Sequence, residues 1–275
     1  MSSGNTTHSQ NLMLAQFFSP DSPARIEPSD FVAHLLQYRG LEPASFGLQQ
    51  TVLIPLIPEL QRHVLDVLGS PPAHPHKIQR QVLYHPEGRC FSTLTSPMGA
   101  PMAVLLLEQL IALGARRFLY VGFCGALATS YGIGDCFIPE RAMREEGTSY
   151  HYLPADVIPT SAPRLNAILQ EHASQKRLLV RQGAIWTTDA PYRETAHKIR
   201  HFQDAGVHAV DMEMAALFAV GHYRGCEVAA LLIVSDECYH PTWRPGFGAQ
   251  RLRQACREAA EVCVAAATEI AAAEW

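Results

Sequence analysis

Val210-Asp211-Met212-Glu213-Met214-Ala215-Ala216-Leu217-Phe218, continuing to Val234-Ser235-Asp236-Glu237, decides how this chain reads. Acidic residues stand at two segment junctions, with an apolar helix and an apolar strand between them. Asp211 and Glu213 open a helical pattern, and Ala215 to Val220 supply a small-residue buried face. Gly225, after Arg224, is placed to close that helix as a left-handed cap. Val228 to Val234 is an almost unbroken apolar run, as a strand covered on both faces requires. Ser235 and Asp236 stand at its end. Ligands of open α/β sheets bind beyond the carboxyl ends of strands, so both junctions are placed to face one crevice. Taken singly, each acid also has a plainer reading. Asp211 and Glu213 suit an N-cap and a first helical turn, and Asp236 suits a turn.

Outward from this stretch the chain punctuates itself. Residues 1–24 read as a flexible leader and 25–275 as a single α/β domain, because strands alternate with helices and no linker interrupts them. Helical patterns cover Phe31–Tyr38, Glu59–Leu68, Met102–Leu113, Arg164–Gln175, His197–Phe202 and Gly248–Ala273. Strand patterns cover Thr51–Pro55, Arg117–Val121, Cys136–Pro139 and Leu178–Gly183, with a hairpin between Gln81–Tyr84 and Cys90–Leu94. Ser70 to His76 reads as a surface loop, and His74 and His76 lack a third residue at metal-ligand spacing. Gly122-Phe123-Cys124-Gly125-Ala126 permits a close approach of backbone. Trp186 and Tyr192 flank a polar turn, where aromatic rings stack on a planar ligand or pack the loop.

Composition excludes several functions. The 275 residues carry a formal charge of −4, which leaves no basic footprint for nucleic acid. Seven scattered cysteines without a C-x-x-C pattern argue for free thiols in a reducing compartment, not for a disulfide scaffold or structural zinc. Met1 to Gln10 lack the basic region and apolar core of a secretory signal, and no window is apolar enough to span a membrane. The expectation is a soluble cytoplasmic protein with no metal and no membrane partner.

Seven stretches occur in an order that resembles the nucleoside phosphorylase family of uridine phosphorylases, hexameric purine nucleoside phosphorylases and related nucleosidases. They are Ser96–Pro101, Gly122–Ala126, Ile133–Asp135, Gly147–Ser149, Trp186–Tyr192, Asp211–Glu213 and Val234–Asp236, and together they span residues from about 50 to 240. The resemblance implies a mixed, twisted, partly barrel-like sheet ringed by helices, and cleavage of a nucleoside N-glycosidic bond. Breaking that bond builds positive charge on the sugar and negative charge on the base. On this resemblance Met212 packs under the sugar and Glu213 accepts hydrogen bonds from its 2′ and 3′ hydroxyls. Such bonds accelerate the reaction when they strengthen in the transition state. Asp236 acts as general acid toward N7 of a purine. Asp211, Gly122 and Phe123 join the substrate-binding set, and the backbone of Cys124 and Gly125 with the rings of Trp186 and Tyr192 forms the base pocket. An Asp after that Ser usually accompanies purine substrates in the family.

The departures bear on the nucleophile. The family's phosphorylases carry Gly-Asp-Pro-x-Arg after the first strand. This chain has Pro55-Leu56-Ile57-Pro58-Glu59-Leu60. Tyr120 replaces a second phosphate-binding Arg, and Phe123 replaces a hydroxyl residue. Losing two guanidiniums removes the usual charge-assisted grip on phosphate. Three readings therefore stand. The first is a phosphorylase with inorganic phosphate as co-substrate, held by Arg141, Arg144 or Arg244, and no other cofactor. The second is a hydrolase with Glu59 as the water-activating base, although Glu59 also reads as a first-turn helix acid. The third is a non-catalytic nucleoside-binding protein. Relatives of this kind are homo-oligomers, as dimers, trimers or hexamers.

Overall fold

Among the described residues, ten strands join in one mixed sheet whose partial closure brings the two acidic junctions together. The computed structural model describes residues 17–20 and 23–273, so most of the leader expected over residues 1–24 lies outside the described residues. β1 (Thr51–Pro55), β5 (Arg117–Ala126) and β9 (Glu227–Glu237) run parallel, with β5 between the other two. β6 (Cys136–Glu145), β7 (Val180–Thr188) and β8 (Val207–Asp211) form a second parallel set. β6 joins β9 antiparallel, and β8 joins β5 antiparallel. Strands β5, β9, β6, β7 and β8 thus close into a barrel-like ring, which removes the edges they would otherwise expose. On the far side of β1 the sheet continues through β4 (Phe91–Thr93), β3 (Gln81–Tyr84) and β2 (Ala73–Ile78). The short β10 (Arg244–Pro245) borders β9.

Helices cover the sheet on both sides, which is why β5 and β9 are buried along nearly their whole length. α2 (Pro58–Val67), α4 (Pro163–Gln175) and α7 (Gln250–Ala272) pack on one side, in a cluster that includes Leu60, Leu165, Leu231 and Ala259. α7 presents Ala255, Cys256, Ala259, Cys263 and Ala266, small residues at helical spacing that let the helix lie close to the sheet. α1 (Pro28–Arg39), α3 (Ala100–Ala112) and α6 (Met214–Arg224) build the other cluster, with Leu36, Leu107 and Phe218. α5 (Ala196–Asp204) lies beside the closed end of the ring. α6 ends on Gly225 at φ 64°, where a side chain would be strained.

Several boundaries differ from the sequence reading: β6 and β7 run on to Glu145 and Thr188, and three other differences have a tertiary reason. Ala73–Ile78 is a strand, not a loop, because it pairs with β3 at the outermost edge of the sheet, and Pro75 falls in the register shift between Ala73 and Lys77. β5 runs on through Gly122 and Gly125, weak strand formers held by partners on both sides. Asp211 closes β8, and the helix begins only at Met214. All seven cysteines are free. Among the described residues no helix is long and apolar enough to cross a membrane, and no group of three His, Cys, Asp or Glu is placed to hold a metal ion.

Candidate active site

Gly125 is the meeting point of the two acidic junctions. It pairs with Val210 of β8 on one side and with Asp236 of β9 on the other. The register between β5 and β9 skips Ser235, and this bulge re-aims Asp236 at the strand end. A cavity of about 1050 Å³ opens there, at the carboxyl ends of β5, β8 and β9. Asp211, Met212, Glu213, Asp236, Phe123, Cys124, Gly125 and Tyr192 all line it. Glu213 and Asp236 therefore share one cleft although they stand 23 positions apart in sequence.

Asp211 is spent on the protein itself. Its Oδ2 accepts the backbone N–H of Glu213 at 2.8 Å and of Met214 at 2.7 Å, and its Oδ1 accepts the Thr187 hydroxyl at 2.6 Å. It caps α6 and fixes the turn that aims Glu213. Asp211→Ala is expected to lower stability by about 3 kcal/mol, since it leaves buried donors without acceptors. Urea unfolding checks this, and a loss below about 0.5 kcal/mol would remove the structural role.

Glu213 is buried, its Oε1 accepts the Gly99 N–H at 2.7 Å, and its carboxylate also accepts a backbone hydrogen bond from Met212. Burial, and then the nearby Asp211 carboxylate, push its carboxyl well above the ordinary range. Asp236 is held from three directions. Ser235 Oγ donates to its Oδ1 at 2.7 Å, while the Cys238 thiol at 3.2 Å and the Trp243 indole N–H at 2.8 Å donate to Oδ2. Glu194 faces the same thiol at 3.7 Å, and burial together with the Asp236 charge raises it to about 7. Phe247 lies near both Phe123 and Trp243, with ring centroids 6.4 and 6.3 Å apart, and forms an aromatic rim.

Other expected residues lie elsewhere. Gly122 does not line the cavity. A Cβ there would meet Leu56 Cδ1 at 2.4 Å, so the glycine makes room for Leu56, which does line it. Trp186 is fully buried behind the wall, stacked on Phe202 at 4.4 Å with its N–H donated to Glu145 at 2.9 Å. Strand alternation explains this, because its neighbour Thr187 already points to Asp211. Glu59 sits in the first turn of α2, outside the cavity-lining set, with its charge felt at Cys256 of α7. Arg144 is occupied by Ser149 Oγ and the carbonyls of Leu153, Pro154 and Val157. Arg141 and Arg244 are exposed and outside the cavity. The guanidinium that does line it is Arg200 of α5. Glu194, Cys238, Arg200 and Trp243 escaped the sequence reading. Only Trp243, an aromatic in a Pro- and Gly-containing loop, offered a local signal.

A family profile described as the phosphorylase superfamily matches residues 59–272. The chain belongs to the phosphorylase superfamily. Within it, this member is 29% identical to a guanosine phosphorylase of Halorubrum lacusprofundi over 150 residues, 54% of this chain and 61% of that one. It is also 29% identical to a DeoD-type purine nucleoside phosphorylase of Bacillus cereus over 155 residues, 56% of this chain and 66% of that one. The matched stretch thus spans less than two thirds of either relative. In fold, this superfamily member superposes on a purine nucleoside phosphorylase of Toxoplasma gondii, solved with immucillin-H, with a TM-score of 0.75 at 18% identity. That superposition covers 82% of this chain and 93% of the other. A P. knowlesi homologue of P. falciparum PNP gives a TM-score of 0.71 at 20% identity, over 84% and 92% of the two chains. The mixed, partly closed sheet expected from the sequence is therefore the superfamily fold.

Proposed function

We propose that this chain cleaves the N-glycosidic bond of a purine nucleoside. The observation that carries the reading is the shared cleft of Glu213 and Asp236, with Met212 also on its wall. Glu213 accepts hydrogen bonds from the ribose hydroxyls as the sugar becomes cationic, and Met212 packs under the ring. Asp236 delivers a proton to N7, so the base leaves with the electron pair of the broken bond as a neutral molecule. Phosphorolysis is the first reading, because relatives in the superfamily are named phosphorylases. An oxygen of phosphate then bonds to C1′ and the product is pentose 1-phosphate.

One observation favours hydrolysis as a second reading. Leu56, Ile57 and Phe123 line the cavity beside the end of β1 and bring no cation. Arg200 stands on α5 instead. We further infer a homo-oligomer, supported by the exposed Met98, Met102 and Leu105 at and along α3.

The test is incubation with inosine, adenosine and uridine, with and without phosphate, and identification of the sugar. Ribose 1-phosphate formed only with phosphate supports phosphorolysis. Free ribose at an equal rate in both supports hydrolysis. Intact nucleosides throughout would leave a binding protein and overturn the enzymatic reading.

A further inference from the structure

Beyond cleavage itself, the cavity holds polar groups that the reaction does not require. Cys238 Sγ lies between two carboxylates, 3.2 Å from Asp236 Oδ2 and 3.7 Å from Glu194 Oε2, and all three residues line the cavity. A thiol has one proton, and Asp236 also accepts from Ser235 and Trp243, so whenever the thiol serves Asp236 it is Glu194 that gives up the thiol's hydrogen bond. Gly125 keeps this row seated against the backbone of β5. A Cβ there would meet Cys238 Sγ at 2.8 Å and Asp236 Oδ2 at 3.2 Å.

We propose that Glu194 and Cys238 are specificity-determining residues that select a 6-oxopurine over a 6-aminopurine. The inference rests on the purine-nucleoside reading above and on the order of the groups. Asp236, Cys238 and Glu194 present an acceptor, an S–H donor and an acceptor in sequence. A 6-oxopurine protonated at N7 presents N7–H, O6 and N1–H along one side, which is donor, acceptor, donor. The two rows are complementary at every position. An N1–H donated to Glu194 also favours its ionised, accepting form. Adenine reverses the last two positions. Its 6-amino group meets the S–H donor, and above about pH 7, where Glu194 is ionised, its N1 lone pair meets a carboxylate. Each mismatch leaves a desolvated polar group without a partner, and discrimination by missing hydrogen bonds is strong for that reason. A 2-amino group beside N1 adds a donor for the second oxygen of Glu194.

The full chain is assayed with inosine and adenosine at saturating phosphate, as wild type, Glu194→Gln and Cys238→Ala. The expected ratio of kcat/KM values, inosine over adenosine, is about 100 in the wild type. Glu194→Gln should cut that ratio at least tenfold, largely by improving adenosine, because a carboxamide can turn its N–H toward adenine N1. Cys238→Ala should cut it by about tenfold through weaker inosine turnover. An unchanged ratio in Glu194→Gln overturns the proposal. Calorimetric titration with free hypoxanthine and free adenine gives a readout that needs no bond cleavage. Tighter hypoxanthine binding that depends on Glu194 upholds the proposal even if no nucleoside is cleaved, in which case only the catalytic reading falls. Equal binding of both bases by the wild type overturns the specificity assignment.

Discussion

Glu213→Gln is expected to lower kcat/KM for a purine nucleoside by about 100- to 1000-fold, the range for removing one preorganised charge-stabilising group. The substitution keeps the volume and the hydrogen bond from Gly99, and removes the charge that responds to a cationic sugar. The loss should fall on kcat as well as on kcat/KM, since ribose hydroxyls bind more strongly as the transition state is approached. A pH dependence accompanies it. Burial and Asp211 raise the Glu213 carboxyl in the folded protein. Its contribution to stability is therefore fully present below the unfolded carboxylate value of about 4.3 and is lost as pH rises through the raised folded value. The wild type should lose more stability than Glu213→Gln over that window, read as urea midpoints. Activity runs the other way. The ionised carboxylate is the better acceptor for hydroxyls, so kcat/KM of the wild type rises as Glu213 deprotonates. An identical rising limb in Glu213→Gln would assign that ionisation to another group.

Asp236→Asn should cost about 1000-fold in kcat/KM with inosine, within the range for a positioned general acid. With a nitrophenyl riboside, whose leaving group needs no proton, the same variant should lose less than about tenfold. The contrast isolates proton delivery from sugar binding. With its carbonyl oxygen in the place of Oδ2, asparagine still accepts the Trp243 indole N–H, while its amide N–H in the place of Oδ1 donates to Ser235 Oγ, whose own proton can go to the Cys124 carbonyl, so the surrounding loop keeps its anchor. Equal losses on both substrates would take Asp236 out of the acid role and leave it as a support for Trp243 and Cys238.

The segments that carry Glu213 and Asp236 were legible in the sequence, and the contacts around the two acids were not. The apolar run ending at Ser235-Asp236 and the small-residue helix after Glu213 followed from periodicity, because burial on both faces of a strand leaves no polar residue within it. The partly closed sheet was expected from the family resemblance that the ordered motifs carry. Trp186 and Glu59 show the limit. A strand residue faces the ligand or the core according to register, and Trp186 turned inward because Thr187 was already committed to Asp211. Glu59 stayed with α2 and the α7 side because a helix's first turn can face either layer.

The sequence by itself determined the alternation of strands and helices, the buried core strands and the pair of acids carried by successive segments, since these depend on local periodicity and spacing. The tertiary structure alone decided that Gly125 joins Val210 to Asp236, and that Asp211 serves the backbone while Glu213 faces the cavity. It also decided that Glu194, Cys238 and Trp243 gather around one carboxylate. Those groups come from separate turns whose meeting depends on sheet closure, a long-range event that no local pattern encodes.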